Sequence, residues 1–291
     1  MTAAADFYTV IGNPIAHSRS PWLHQQFAEQ THQTLRYERS LLATDGFNSG
    51  LAQLRSRGLL GCNVTMPFKA DAFALAQWHS PAALLAQACN TLWWDAGVLK
   101  ADNTDGVGLV RDITTNANHQ LAGKRLLIVG AGGASAGILG PLIEAGCGAI
   151  HIANRSQSKA VALVQSHQAL ASAHTCTLSA NSLDSLNALH AQSHLQAFDI
   201  VINASAASLS GQRIALAPAC IGAHTLAIDL AYGPASRVFL DWAASLGAAT
   251  RDGLGMLVEQ AAASFAIWRG VQPNTAQVLQ RLRVIVDTPS V

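Results

Sequence analysis

Short apolar runs alternate with amphipathic stretches along nearly the whole chain. Strand-sized runs cover residues 7–12, 36–42, 61–65 and 90–94, and the intervals 21–30, 46–57 and 69–77 carry apolar residues at helical spacing. Ser20 ahead of Pro21 predicts an N-cap with proline in the first helical position. After a break at 103–106, a helix over 107–115 leads to a buried-type strand over 124–130. Further strands fit 149–153, 198–203 and 225–229, with helices between them, and 254–269 and 274–286 read as closing helices. Repeated strand–helix alternation predicts an α/β protein with parallel sheet. The Ala-, Ser- and His-rich stretch 166–196 carries the weakest pattern.

Composition narrows the function classes. At 291 residues, with half of them apolar and 12 % charged, the chain has material for two ordinary domains and too little charge for a disordered one. A net charge of +1 excludes the basic stripe that nucleic acid requires. Mean hydropathy is +0.23, yet no apolar block approaches the ~20 residues of a membrane span. Residues 1–6 lack a basic-then-apolar leader, and the five scattered cysteines form no CxxC or Cys/His cluster. The expectation is a reduced, cytoplasmic protein acting on small molecules, a monomer or homodimer, with no metal, nucleic-acid or membrane partner.

Chemistry concentrates in the turns. Gly130–Ala131–Gly132–Gly133–Ala134–Ser135 follows a strand and opens a helix, the context of a dinucleotide-binding turn. Gly130 permits the tight turn, Gly132 lets backbone approach a pyrophosphate, and helix amides then face the negative charge. The next strand ends in Asn154–Arg155–Ser156, with Lys159 beyond. An NAD site usually has a carboxylate there for the ribose; a guanidinium and an ammonium favour the 2′-phosphate of NADP. In the first hundred residues, Ser18, Ser20, Asn63, Thr65, Lys69, Asn90 and Asp105 lie where apolar strands end, a set that suits a small polyhydroxylated acid. Singly each has an ordinary reading: Ser20 an N-cap, Asn90 a turn, Asp105 a helix cap and Lys69 a surface lysine. Among the eleven histidines no HxxxH pair accompanies an acid, and His17 and His24 read as structural.

The segments GNPIAHSRSP (12–21), NVTMPFK (63–69), CNTL (89–92), DNTDGVG (102–108), GAGGAS (130–135), NRS (154–156), DLAY (229–232) and DGLGMLVEQAA (252–262) resemble the shikimate dehydrogenase family, in family order over nearly the whole chain. The resemblance implies two domains. A substrate domain of residues 1–104 plus 253–291 has a mostly parallel sheet, and a Rossmann-like NADP-binding domain, 105–252, is inserted into it. It implies reversible NADPH-dependent reduction of 3-dehydroshikimate to shikimate, in aromatic amino acid and chorismate biosynthesis. Lys69 is then the catalytic lysine with Asp105 as its partner. Ser18 and Ser20 hold the substrate carboxylate with Thr65 and Tyr232 nearby, and Asn63, Asn90 and Gln260 read ring hydroxyls. The cofactor positions become Gly130 to Ala134, Asn154, Arg155, Ser156, Lys159, Asn203, Ser205, Leu230 and Gly253. The family's Arg just after the GAGGA turn is Ala136 here. The rivals are a dehydrogenase of quinate or aminoshikimate, and a catalytically silent shikimate sensor.

Overall fold

In a computed structural model, residues 5–192 and 196–288 are described. Residues 1–4, part of the stretch on which the leader was read, lie outside them. The chain opens with β1 (Asp6–Gly12), α1 (Ser20–Gln30), β2 (Leu35–Leu41), α2 (Phe47–Ser56), β3 (Leu59–Val64), α3 (Lys69–Leu75), β4 (Trp78–His79), α4 (Pro81–Ala86), β5 (Thr91–Asp95) and β6 (Val98–Asp102). Helix α5 (Asp105–Arg111) runs into a wider turn over Asp112–Asn116. There follow β7 (Arg125–Val129), α6 (Gly133–Glu144), β8 (Ala149–Asn154), α7 (Gln157–Ala173), β9 (Thr177–Ser182), α8 (Leu183–Gln192), β10 (Ile200–Asn203), β11 (Leu226–Asp229), α9 (Arg237–Ser245), β12 (Ala249–Asp252), α10 (Leu254–Arg269) and α11 (Thr275–Asp287). No described helix is long and apolar enough to cross a membrane.

Local chemistry explains the departures from the expected elements. Arg19, not Ser20, is the N-cap of α1; Ser20 is already helical, and no side chain caps the helix. Ser80 does cap α4, its hydroxyl accepting from the Ala83 amide at 3.1 Å. Strands β5 and β6 form a hairpin through Ala96 and Gly97, both at positive φ. Thr65, expected inside the strand, falls just past the end of β3, and its amide still bonds the Ile11 carbonyl of β1.

The chain divides into two compact units. The first comprises Met1–Gly108 with Leu257–Leu282, and the second Leu109–Met256 with Arg283–Val291. Compared with the expected limits, residues 105–108 join the first unit, and residues 253–256 and 283–288 join the second. Packing accounts for the shift. Leu109, Ile113 and Met256 belong to the second unit's core. Arg283 forks onto Asp252 with bonds of 2.8 and 2.6 Å. Gly255 leaves room for the Asp112 carboxylate, which a Cβ there would overlap and which Arg251 grips through Nε at 2.6 Å.

In the first unit the sheet order is β2-β1-β3-β5-β6-β4, with β1 parallel to β2 and β3, β4 parallel to β6, and β5 antiparallel to both neighbours. The sheet is therefore mostly parallel, with one antiparallel hairpin inside it. One core cluster gathers Phe7, Ile11, Phe47, Leu59, Phe68 and Leu92. A second set of rings joins α1 to α10 and β2: Phe27 meets Phe265 edge-on, and His24 stacks on Tyr37 at 4.2 Å. The second unit's sheet is parallel throughout, in the order β12-β11-β10-β7-β8-β9. Strand order reverses between β7 and β10, the point outside which ligands collect in such sheets. All five cysteines are buried free thiols, Cys62 and Cys89 in the first unit and Cys147, Cys176 and Cys220 in the second. Burial pushes Cys89, Cys147 and Cys220 up to about 12, and Cys62 higher still.

Candidate active site and dinucleotide turn

In the first unit, Lys69 opens α3 and Asp105 opens α5, and the ammonium and carboxylate form an ion pair. Lys69 keeps 19 % of its side chain exposed against 9 % for Asp105, so the lysine is the more accessible member of the pair. Asp105 is fixed from behind. Asn90 donates from Nδ2 to Asp105 Oδ1 at 2.8 Å, which leaves Oδ2 for Lys69. The backbone amide of Asp105 donates to Asn103 Oδ1 at 3.1 Å. Asn90 Oδ1 in turn accepts from the Thr104 amide at 2.8 Å and the Thr91 hydroxyl at 2.9 Å.

The network continues inward. Ser264 on α10 sits within 2.7 Å of the Thr91 hydroxyl and 3.2 Å of the Thr104 hydroxyl, and it accepts from Asn63 Nδ2 at 2.9 Å. Asn63 Nδ2 also donates to the Asn90 carbonyl at 3.1 Å. On its other side, Asn63 Oδ1 accepts from the Tyr37 hydroxyl at 2.7 Å and lies 3.2 Å from His24 Nε2. The Asn63 amide is thus held at both ends by protein. Gln260 Oε1 accepts from Asn90 at 3.1 Å. Burial lowers His24 to about 3, so its ring is neutral and donates from Nε2 to Asn63, while Nδ1 has no partner among the described residues. Burial also raises Tyr37 well above its ordinary value and keeps its donor proton in place.

Ser18 and Ser20 adjoin, hydroxyl to hydroxyl, at 3.2 Å, and the Ser20 amide donates to Ser18 Oγ at 3.3 Å. Arg39 on β2 donates from Nε and Nη2 to the Ser18 carbonyl at 2.9 and 2.7 Å. The half-buried Thr65 donates its amide to the Ile11 carbonyl at 2.9 Å; a Cβ on Gly12 would press on its methyl. The structure therefore gathers Asn63, Lys69, Asn90, Asp105 and Gln260 into one network and sets Ser18 and Ser20 side by side. Sequence reasoning missed Tyr37, Arg39, Thr104 and Ser264. Alternation along β2 puts Tyr37 and Arg39 on one face, a signal available once Tyr37 is known to point inward. Ser264 hides in the run of alanines 261–263 on an apolar helix.

In the second unit, Gly130 closes β7 at φ +119°, and a Cβ there would stand 3.0 Å from the Ala204 carbonyl, at the strand-order reversal. Ser135 closes the turn, its hydroxyl donating to the Gly130 carbonyl at 2.9 Å. Gly132 caps α6 with no side-chain bond, the first turn carries no acid, and Cβ atoms on Gly132 or Gly133 would meet nothing within 4 Å. That is an open cradle lined by unclaimed amides, between the half-buried Ala131 and Ala134, and it fits a pyrophosphate. Asn154 folds onto the Ser156 carbonyl at 2.9 Å, while Arg155, Ser156 and Lys159 are exposed; neither Arg155 nor Lys159 pairs with a carboxylate among the described residues. Asn203 is turned inward: Nδ2 donates to Asp229 at 2.9 Å and Ser208 at 2.8 Å, and Oδ1 accepts from the Ser205 hydroxyl at 2.7 Å. Asp229, raised by burial, also accepts from the Ala231 amide. Leu230 donates its amide to the Asn203 carbonyl at 3.0 Å, and Gly253 packs against the Leu230 backbone, where a Cβ would overlap. Tyr232 follows β11 in this unit, half-buried. No metal-binding cluster occurs among the described residues.

Comparison with known proteins adds an independent line. Residues 10–92 match the shikimate dehydrogenase substrate binding domain, 112–232 the shikimate / quinate 5-dehydrogenase family, and 253–283 the shikimate 5′-dehydrogenase C-terminal domain. A protein of Acidovorax ebreus (strain TPSY) called shikimate dehydrogenase (NADP(+)) is 51 % identical over 286 residues, covering 98 % of this chain and 99 % of its own. The structure of the Ael1 enzyme from Pseudomonas putida is 41 % identical, with a TM-score of 0.86 over 98 % of this chain and 99 % of that one. Shikimate 5-dehydrogenase from Thermus thermophilus, in complex with NADP(H) and shikimate, is 27 % identical, with a TM-score of 0.79 over 96 % and 98 %.

Proposed function

The chain belongs to the shikimate dehydrogenase family, and from that premise we propose that it interconverts 3-dehydroshikimate and shikimate with NADP(H), within aromatic amino acid biosynthesis. The observation that carries this reading is the partly exposed Lys69 side chain, whose ammonium is ion-paired to an Asp105 that Asn90 holds from behind. When bound, NADPH supplies the hydride that reduces the ring carbonyl. Lys69 meets the carbonyl oxygen as negative charge develops there and gives it a proton; in the opposite direction the proton returns to Nζ. Asp105 aims the ammonium, so much of the gain is positioned charge in a partly closed site.

Ser18 and Ser20 receive the carboxylate with Thr65 beside them, and Asn63, Asn90, Asp105 and Gln260 form the wall that reads ring hydroxyls. The cradle at Gly132 and Gly133 takes the pyrophosphate, and Arg155 and Lys159 take the 2′-phosphate. Asn154 and Ser156 shape that end of the site. Asn203, with Ser205, Leu230 and Gly253, builds the loops around it. Buried free thiols suit a reducing cytoplasm.

The test is absorbance of the reduced nicotinamide with shikimate or quinate and NADP+ or NAD+ in all four pairings. Fast reduction with shikimate and NADP+ is expected. A preference for quinate or NAD+ would overturn the assignment of the serines or of Arg155. Binding of shikimate without turnover in any pairing would mark a sensor.

A further inference from the structure

The proposed carboxylate site is built of two hydroxyls, and the serines themselves bring no positive charge to balance an anion. Arg39 lies at that site. It extends from the same face of β2 as Tyr37, whose hydroxyl reaches Asn63 and also has Ser20 as a neighbour. One edge of its guanidinium, Nε and Nη2, is spent on the carbonyl of Ser18, the residue whose hydroxyl faces Ser20. Its remaining donors bond nothing among the described residues. No carboxylate among the described residues pairs with it either: the neighbouring Glu38 pairs with Arg36 at 2.7 Å and Arg57 at 3.8 Å. A guanidinium with donors still unspent, anchored on the backbone of one of the paired serines, can meet a carboxylate with two parallel bonds as well as with charge.

We infer that Arg39 is a specificity-determining residue: its guanidinium supplies the positive charge for the substrate carboxylate, so that the site selects anionic over neutral cyclic polyols. This rests on the proposed role of Ser18 and Ser20. Because Arg39 is exposed, its contribution is of the size of a solvent-accessible ion pair and is screened by salt.

The test compares wild type, Arg39→Gln and Arg39→Lys on shikimate and on its uncharged methyl ester, with KM and kcat measured from low to high ionic strength. For Arg39→Gln we expect KM for shikimate to rise about two- to fivefold at low salt. That rise closes at high salt, kcat stays near wild type and KM for the ester does not move. Arg39→Lys, which keeps the charge and loses the fork, falls between. Equal losses on acid and ester at every ionic strength would overturn the inference, leaving Arg39 as a prop for the Ser18 loop; so would no change at all. The wild-type control separates the two readings: failure to turn over or bind shikimate would remove the proposed function and the carboxylate site with it.

Discussion

Lys69 is aimed by Asp105, and Asp105 is aimed by Asn90, so the reactive end of the site hangs on three side chains in series. Removing the first member removes the proposed proton donor. Lys69→Ala should lower kcat by about a thousandfold with the fold intact, within the range for a positioned general acid. Asp105→Asn keeps a hydrogen-bonding shape without the charge and should cost less, on the order of a hundredfold. Steady-state turnover with shikimate checks both, and near-normal turnover in Lys69→Ala would sink the catalytic assignment. Lys69 and Asp105 were legible in sequence because each sits in a compact motif. Tyr37, Thr104 and Ser264 were not. Ser264 meets Asn63 from 201 positions away and Thr91 from 173, and no local pattern encodes that convergence.

At the scale of elements, the Gly-rich turn separates two roles that one motif merges. Gly130 is needed for the backbone itself: its φ of +119° and the Ala204 carbonyl exclude a side chain. Gly130→Ala should therefore destabilise the protein by about 1–3 kcal/mol, read as a lower denaturation midpoint. Gly132 has open space where its Cβ would go. Gly132→Ala should melt like wild type yet bind NADP+ more weakly, because the methyl group occupies the cradle; unchanged affinity would argue against that seat. The turn was readable because strand, glycines and helix come in order. The β5–β6 hairpin was not, since Ala96–Gly97 lacks the Asn-Gly or Asp-Gly cue, and polar β9 and two-residue β4 offer almost no apolar alternation. Pattern alone gave β1, β2, β3, β5, β7, β8, β10 and β11, and missed the short or polar β4, β6, β9 and β12.

For the molecule as a whole, buried titratable groups tie stability to acidity. His24 is held to about 3 in the native protein against 6.5 when unfolded. As pH falls below 6.5, the unfolded chain takes up a proton that the native ring refuses, so stability is lost toward pH 3 at up to about 1.4 kcal/mol per pH unit. His167, also lowered by burial, adds in the same direction, whereas Asp229, raised by burial, takes its proton more readily when folded and opposes them. Melting temperature should therefore drop between about pH 7 and pH 4.5. His24→Phe, which keeps a ring against Tyr37, should flatten that slope; an equally steep variant would clear His24 of the effect. The five sequestered thiols carry a different consequence. An alkylating reagent can mark Cys62 and Cys89, or Cys147, Cys176 and Cys220, only in molecules that have transiently opened there, so the chain carries an intrinsic opening clock in each half. Mass spectrometry of the two peptide sets would time them separately, with shikimate slowing the first and NADP+ the second.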